Sequence, residues 1–304
     1  MNIHDLPAAL TSRFADDPGL ARYTAARLGG PAEALIVARD TEDLETIVTA
    51  AWAANVPVRV LGGGANVLIS DAGVDGLIVI NNRTAEIVPR DANTLRVSAG
   101  TTLTHLSRTC ATLGLRGFEW AVAVPGTVGG AVVNNAGAHG ASMADCVVSA
   151  RVVEPTGARE WTLADLGYAY RHSALKARVD RRFLVTGATL RFSSDSPADI
   201  SARMNEHNAY RKRTQPPGAS LGSVFKNPPG DYAGRLIEAC GLKGYAIGGA
   251  QVSPVHANFF INAGGNATAA DYYALIRHVQ AAVEGRFGVR LEPEIELLGR
   301  FDAS

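Results

Sequence analysis

Only three cysteines occur in 304 residues, Cys110, Cys146 and Cys240. They are odd in number, widely spaced and in no CxxC pair, which excludes a disulfide framework or a zinc ribbon and points to a reducing compartment. His139, His172 and His256 lie far apart, so no metal site is expected. Neither sign of charge is in excess, with 29 Lys and Arg against 29 Asp and Glu; the broad basic field of a nucleic-acid binder is missing. No apolar run is long enough to span a bilayer, and residues 1–17 hold no signal-peptide core. The expectation is a soluble, cytoplasmic monomer with no nucleic-acid or membrane partner.

What is present is a globular balance, 47% hydrophobic and 19% charged, in a length that suggests two domains or three small ones. Glycine is concentrated in two loops. One is Leu61-Gly62-Gly63-Gly64-Ala65-Asn66. The other runs over 125–138 and includes Pro125, Gly126, Thr127, Gly129, Gly130, Asn134, Gly137 and Ala138. Such stretches bury little apolar area but let backbone amides approach something flat or anionic. Either loop alone reads equally well as a packing junction; together they suggest two walls of one cofactor site. A Rossmann fingerprint does not fit, because the spacing is not GxGxxG and a strand, not a helix, follows Asn66.

Periodicity predicts a helical lead-in over 1–22 and a strand over 34–38. A helix N-capped by Thr41 and a strand over 58–61 follow. Strands at 67–70, 76–80, 85–88 and 95–99, a helix over 102–113 and strands at 147–154, 160–162 and 183–192 come next. Thr162 and Asp165 read as the start of a short helix. The polar turn 193–197 is the expected domain boundary. Beyond it lie a basic helix over 200–212, a long irregular loop over 214–230 and a helix over 232–240 ended by Gly241. The chain closes with strand-like 246–247 and 259–262, a helix from Thr268 to about Phe287 and a strand over 289–298.

Several residues offer chemistry, each with a plainer reading. Ser223, beside Gly222 in a proline-rich loop, is either a turn serine or a proton donor to a carbanion; no GxSxG elbow makes it a hydrolase nucleophile. Arg171 is either a surface arginine or a planar clamp for a carboxylate. Glu292, Glu294 and Glu296 share one strand face, either exposed or with one member polarised in a site. Lys243 and His256, in glycine-rich turns, are candidates for phosphate or sugar contact.

Six motifs in order carry a resemblance: Arg27-Leu28-Gly29-Gly30-Pro31-Ala32, Leu61-Gly62-Gly63-Gly64-Ala65-Asn66-Val67-Leu68, Val124-Pro125-Gly126-Thr127-Val128-Gly129-Gly130-Ala131, Tyr170-Arg171-His172-Ser173, Gly222-Ser223-Val224-Phe225-Lys226-Asn227-Pro228 and Leu291-Glu292-Pro293-Glu294. From about Tyr23 to Gly299 the chain resembles the UDP-N-acetylenolpyruvoylglucosamine reductases (UDP-N-acetylmuramate dehydrogenases), in their shorter, type II-like form. The resemblance implies an α+β fold: a two-subdomain FAD-binding module of the vanillyl-alcohol-oxidase type over 1–192 (about 1–73 and 74–192), then an α+β substrate-binding domain over 200–304.

It implies non-covalent FAD with its pyrophosphate on the two glycine loops, Asn66 and the 125–138 stretch close to the flavin, NADPH as hydride donor, and a UDP-sugar substrate. Ser223 matches the family's proton donor, Arg171 and Glu294 the residues that stabilise the enolate, Lys226 and Asn227 substrate-pocket positions, and Lys243 a residue for the nucleotide phosphates. Ala65 stands where serine is usual, which implies one hydroxyl fewer to FAD. Ala25 and Ala26 replace a usual Thr-Phe pair, and Leu221 replaces a common alanine, which implies a narrower pocket. Two other readings stay open: an FAD-linked hydroxy-acid or sugar oxidase of the same fold, with His139 as the candidate for a covalent flavin link, and a non-catalytic nucleotide-sugar binder.

Overall fold

Contacts within the chain divide it into two bodies in the computed structural model, which describes residues 3–301. The first holds the residues up to Ala15 together with Ala34–Gly63 and Gly76–Arg211; the second holds Asp16–Glu33, Gly64–Asp75 and everything from Lys212 onward. The 61–66 glycine loop therefore starts in one body and ends in the other.

The first body has two cores. In one, the helix Thr41–Ala53 lays Leu44, Ile47, Val48 and Ala51 on Ala34, Ile36, Leu77 and Val79. These come from a three-stranded sheet ordered Ala32–Val37, Val74–Ile80, Val58–Leu61. Asp40, not Thr41, caps this helix, accepting from the Asp43 amide at 2.8 Å; an ionised cap adds a favourable charge at the positive helix end. The other core lies on a five-stranded antiparallel sheet ordered Gly157–Thr162, Val147–Glu154, Leu184–Arg191, Thr94–Ser98, Ile87–Pro89. Leu106 and Cys110 of the helix Leu103–Thr112, with Phe118, Trp120, Val128 and Val132, close over its inner residues.

In the second body the antiparallel sheet Ser220–Ser223, Phe259–Asn262, Ala250–Val252, Ala246–Ile247 packs under the helix Ala269–Phe287. That helix buries Tyr272, Leu275, Ile276, Val279 and Val283. The segment Gly64–Asp75 is stitched in twice. Val67–Ile69 pairs in parallel with Glu296–Leu298, and the Asp71 carboxylate accepts from the amides of Ala269 and Ala270 at 2.9 and 2.8 Å.

Several expectations change. The described part of the lead-in is a broken chain of short turns, with α-helix only at Ala8–Thr11. The loop over 214–230 contains the strand Ser220–Ser223, because Phe259–Asn262 supplies it a partner. The last strand shrinks to Glu296–Leu298, and 292–294 precede it as a segment that meets the 224–226 stretch through the isolated bridge between Phe225 and Pro293. Leu221 is 2% exposed and fills the core of the second body, so its size is spent on packing there.

Candidate active site

In the first body the two glycine loops touch. A Cβ on Gly62 would stand 2.2 Å from Thr127 Oγ1, and one on Gly63 would stand 2.9 Å from the Gly126 Cα. Only bare backbone permits that approach. The amides of Gly62 and Gly63, and those of Gly126, Thr127 and Gly130, donate to no acceptor among the described residues. Gly129 differs: its amide bonds the Ala99 carbonyl at 2.9 Å, so it is a packing glycine. The strand Val58–Leu61 delivers one loop, and the short helix Val128–Asn134 continues the other. Asn134 turns its Nδ2 back to the Gly130 carbonyl at 3.0 Å, leaving Oδ1 buried with no partner among the described residues. Clustered free amides and small residues are what a pyrophosphate and a flat ring system require, so the loops fit a flavin dinucleotide.

Arg171 is built onto the far end of the same stretch. The turn that carries it is bound to the last carbonyls of the helix Val128–Asn134: Tyr168 Oη donates to Val132 at 2.9 Å and Ser173 Oγ to Val133 at 2.5 Å. Asn135 Nδ2 donates to the Ala169 carbonyl at 2.9 Å, and Arg171 itself to the Gly137 carbonyl at 2.8 Å. Burial pushes the Tyr168 phenol above its ordinary pKa, so it stays a donor. These four bonds hold Arg171 at φ 54°, a left-handed conformation that costs a non-glycine residue about 1–3 kcal/mol. Ala138 pairs with Ala141 and Gly137 with Ser142 beside it.

The second body collects the other candidates. Gly222, at φ 76°, lies in a register shift where Ser220 faces Ile261 and Ser223 faces Phe259. A bulge of this kind re-aims the next side chain, and the half-buried Ser223 sits on it. The residues after it are held from both sides. Val224 and Phe225 donate their amides to the Asn258 carbonyl and Oδ1 at 2.9 and 3.0 Å, and Asn258 Nδ2 returns a bond to the Phe225 carbonyl at 2.8 Å. On the opposite edge, Lys226 donates to the Glu292 carbonyl at 2.9 Å and Glu294 to the Val224 carbonyl at 2.8 Å. Glu294 thus lies across from the residue next to Ser223, and Asn66 Nδ2 holds the Glu294 carbonyl at 3.1 Å.

Of the three glutamates, Glu292 is exposed and ion-paired to Lys226, while Glu294 and Glu296 are half-buried. Gly64 must be glycine: at φ 55° its Cβ would stand 2.0 Å from the Tyr23 carbonyl oxygen. Ala65 follows it, half-buried.

The remaining expected contacts have local partners. Asn227 Oδ1 accepts from the Ala233 amide at 3.1 Å, at the start of the helix Ala233–Ala239. Lys243 Nζ bonds Glu238 at 2.8 Å. His256 accepts on Nδ1 from the Asn258 amide at 3.2 Å, which leaves Nε2 as its N–H. Burial, followed by the nearby Lys243, holds the pKa of His256 below its ordinary value and outweighs the raising effects, so the ring is neutral at pH 7. Asn258 is the residue the sequence did not single out. It is 3% exposed, and its only signal was an amide side chain at the start of an otherwise apolar strand.

Comparison with known proteins matches both halves. An FAD-binding domain model matches residues 32–162, and the model for the C-terminal domain of UDP-N-acetylenolpyruvoylglucosamine reductase matches 213–298. The reductase of Trichormus variabilis is 45% identical over 289 residues, covering 94% of this chain and 86% of that one. The reductase of a Synechococcus species is 42% identical over 303 residues, covering 98% and 97%. The crystal structure of UDP-N-acetylenolpyruvylglucosamine reductase from Thermus caldophilus superposes with a TM-score of 0.77 at 34% identity, covering 92% of this chain and 97% of that one. These matches bear out the expected α+β class, an FAD-binding module followed by a second domain, and show that the chain belongs to the UDP-N-acetylenolpyruvoylglucosamine reductase family of FAD-dependent oxidoreductases.

Proposed function

We propose that this enzyme reduces the enolpyruvyl group of UDP-N-acetyl-3-O-(1-carboxyvinyl)-glucosamine to give UDP-N-acetylmuramate, a step of peptidoglycan precursor synthesis, with NADPH as reductant. Bound FAD supplies the chemistry of accepting hydride from NADPH and passing it to the terminal vinyl carbon. The amides of Gly62, Gly63, Gly126, Thr127 and Gly130 hold its pyrophosphate and ring edge, with Leu61, Gly64, Ala65, Asn66 and the remainder of 125–138 shaping the loops. Lys226, Asn227, Lys243 and His256 serve the sugar nucleotide. The FAD-binding domain is assigned to 1–192 and the substrate-binding domain to 200–304, in a cytoplasmic monomer. Among the described residues no helix is long and apolar enough to cross a membrane.

Hydride addition leaves the electron pair of the double bond on the carbon that carries the carboxylate, as an enolate. Ser223 Oγ gives that carbon its proton and is reprotonated from water. A serine hydroxyl is a weak acid, but the enolate is a far stronger base than water, and position replaces acidity. Arg171 offers two N–H groups to the enolate oxygens. Glu294 adds to this when it carries its proton, since a second anion would repel the forming charge. Each aimed donor supplies about 3 kcal/mol toward the transition state.

The observation that supports this reading is the main-chain pairing of Glu294 with Val224, which sets Glu294 across from the residue that follows Ser223. Anaerobic NADPH bleaches the yellow protein, and the enolpyruvyl sugar nucleotide restores the colour. A protein that is colourless after gentle purification contradicts the reading.

A further inference from the structure

The strand Ser220–Ser223 ends where its neighbour does. Phe259–Asn262 begins opposite Ser223, and upstream of Phe259 the chain turns away. Ser253 builds that turn. Its amide bonds the Phe259 carbonyl at 2.8 Å, and its buried Oγ accepts from the amides of Val255 and His256 at 3.1 and 3.3 Å. The Phe259 amide closes on the His256 carbonyl at 2.9 Å. The ladder makes one more main-chain bond, from Val224 to the Asn258 carbonyl, and then has no strand left for Phe225.

The other edge does not serve Phe225 either. Across its bridge with Pro293 it is Val224 and Lys226 that bond, to Glu294 and Glu292, so the N–H and C=O of Phe225 face the opposite way. Phe225 is buried, its ring edge-on to Phe260 at 6.0 Å, and buried main-chain groups left unpaired are costly. The side chain of Asn258 meets both, accepting from the Phe225 amide at 3.0 Å and donating to the Phe225 carbonyl at 2.8 Å. A primary amide is the neutral side chain that offers a donor and an acceptor side by side, as a peptide group does.

Upstream of Ser223 the backbone is permissive: Gly222 stands at φ 76° in a register shift. Downstream it is held on both edges. We propose that Asn258 is a positioning residue for the proton transfer. Its side chain stands in for a missing strand, fixes the main chain two residues beyond Ser223, and so sets the place from which Ser223 Oγ reaches the enolate carbon. The inference rests on the function proposed above.

The test is the ratio of two stopped-flow rates in the full-length, flavin-loaded enzyme: reoxidation by the enolpyruvyl sugar nucleotide over reduction by NADPH. Asn258→Ala lowers this ratio by about 10- to 100-fold, the scale of a small misplacement of a reacting group. In a Ser223→Ala background the same change lowers it by about threefold at most, because no hydroxyl is left to aim. Asn258→Asp carries the test if Asn258→Ala does not fold. A protonated carboxyl offers the acceptor and donor of the amide, a carboxylate repels the Phe225 carbonyl, and burial favours the protonated form. His256, Lys226, Glu292 and Glu294 titrate in both proteins, so the ratio is taken against wild type at each pH. For Asn258→Asp it approaches wild type as pH falls and drops as pH rises. A purely structural part lowers flavin content, or both rates together, and leaves the ratio alone. A ratio within about threefold of wild type for both variants at every pH, or the full loss persisting in the Ser223→Ala background, would overturn the proposal. A wild-type protein without flavin or turnover defeats the function itself, whereas an active wild type with an unaffected ratio in the variants defeats the positioning role alone.

Discussion

The side-chain amide of Asn66 donates to the main-chain carbonyl of Glu294 at 3.1 Å, across 228 residues of sequence. Glu294 in turn donates its own amide to Val224, beside Ser223, at 2.8 Å. A loop residue that the family resemblance assigns to the flavin therefore also fixes the segment that carries a catalytic candidate, just before the strand Glu296–Leu298. Asn66→Ala removes one side-chain hydrogen bond from a half-buried carbonyl, a cost of about 1 kcal/mol. The melting temperature falls by about 2–4 °C, and flavin reoxidation by substrate slows more than its reduction by NADPH. Unchanged melting and an equal effect on both half-reactions would show that the tie is incidental.

Gly63→Ala puts a methyl group 2.9 Å from the Gly126 Cα. The clash is with backbone, so the two loops must separate. The variant folds, with a normal far-ultraviolet spectrum, but is purified with well under one FAD per chain. Full flavin occupancy would show that the contact between the loops does not set the cofactor site.

Ser173 lies within the turn that holds Arg171, with its hydroxyl on the Val133 carbonyl and the Lys176 amide on its Oγ at 3.0 Å. Ser173→Ala slows substrate-driven reoxidation by about 10-fold, equal to roughly 1.4 kcal/mol of lost positioning. It has no added effect in an Arg171→Ala background, because there is no guanidinium left to position. Additive losses would assign Ser173 a purely structural part.

The sequence revealed what is local. The boxes Thr162–Asp165 and Thr268–Asp271 close within four residues, so composition alone exposes them, and both form. The glycine loops were legible because bare backbone has few other uses. The partners were not. Asp71 caps a helix 198 residues away, Asn258 clamps Phe225 across 33 residues, and Arg171 owes its left-handed backbone to carbonyls of a different element. No periodicity encodes such pairings. They depend on which segments the two bodies exchange, and the crossing of the 61–66 loop between them has no compositional mark.

Glu119 tests the first body by pH. Burial pushes its carboxyl up, but the amides of Glu119 and Gly117 and the Arg203 guanidinium outweigh that and hold its pKa below the ordinary 4.5. The native pKa is lower than the unfolded one, so this stabilisation is complete above the ordinary value and fades as pH falls through the native value. Arg203→Gln therefore lowers the melting temperature more at pH 7 than at pH 3. An equal drop at both would remove the ion pair from the account of acid stability.

The proton-donor role of Ser223 is tested most directly by stopped-flow comparison of the two half-reactions in Ser223→Ala. The account predicts flavin reduction by NADPH at nearly the wild-type rate and reoxidation by the enolpyruvyl sugar nucleotide slowed by about 100-fold or more, the usual contribution of a general acid. Equal slowing of both halves, or an unaffected reoxidation, would contradict it.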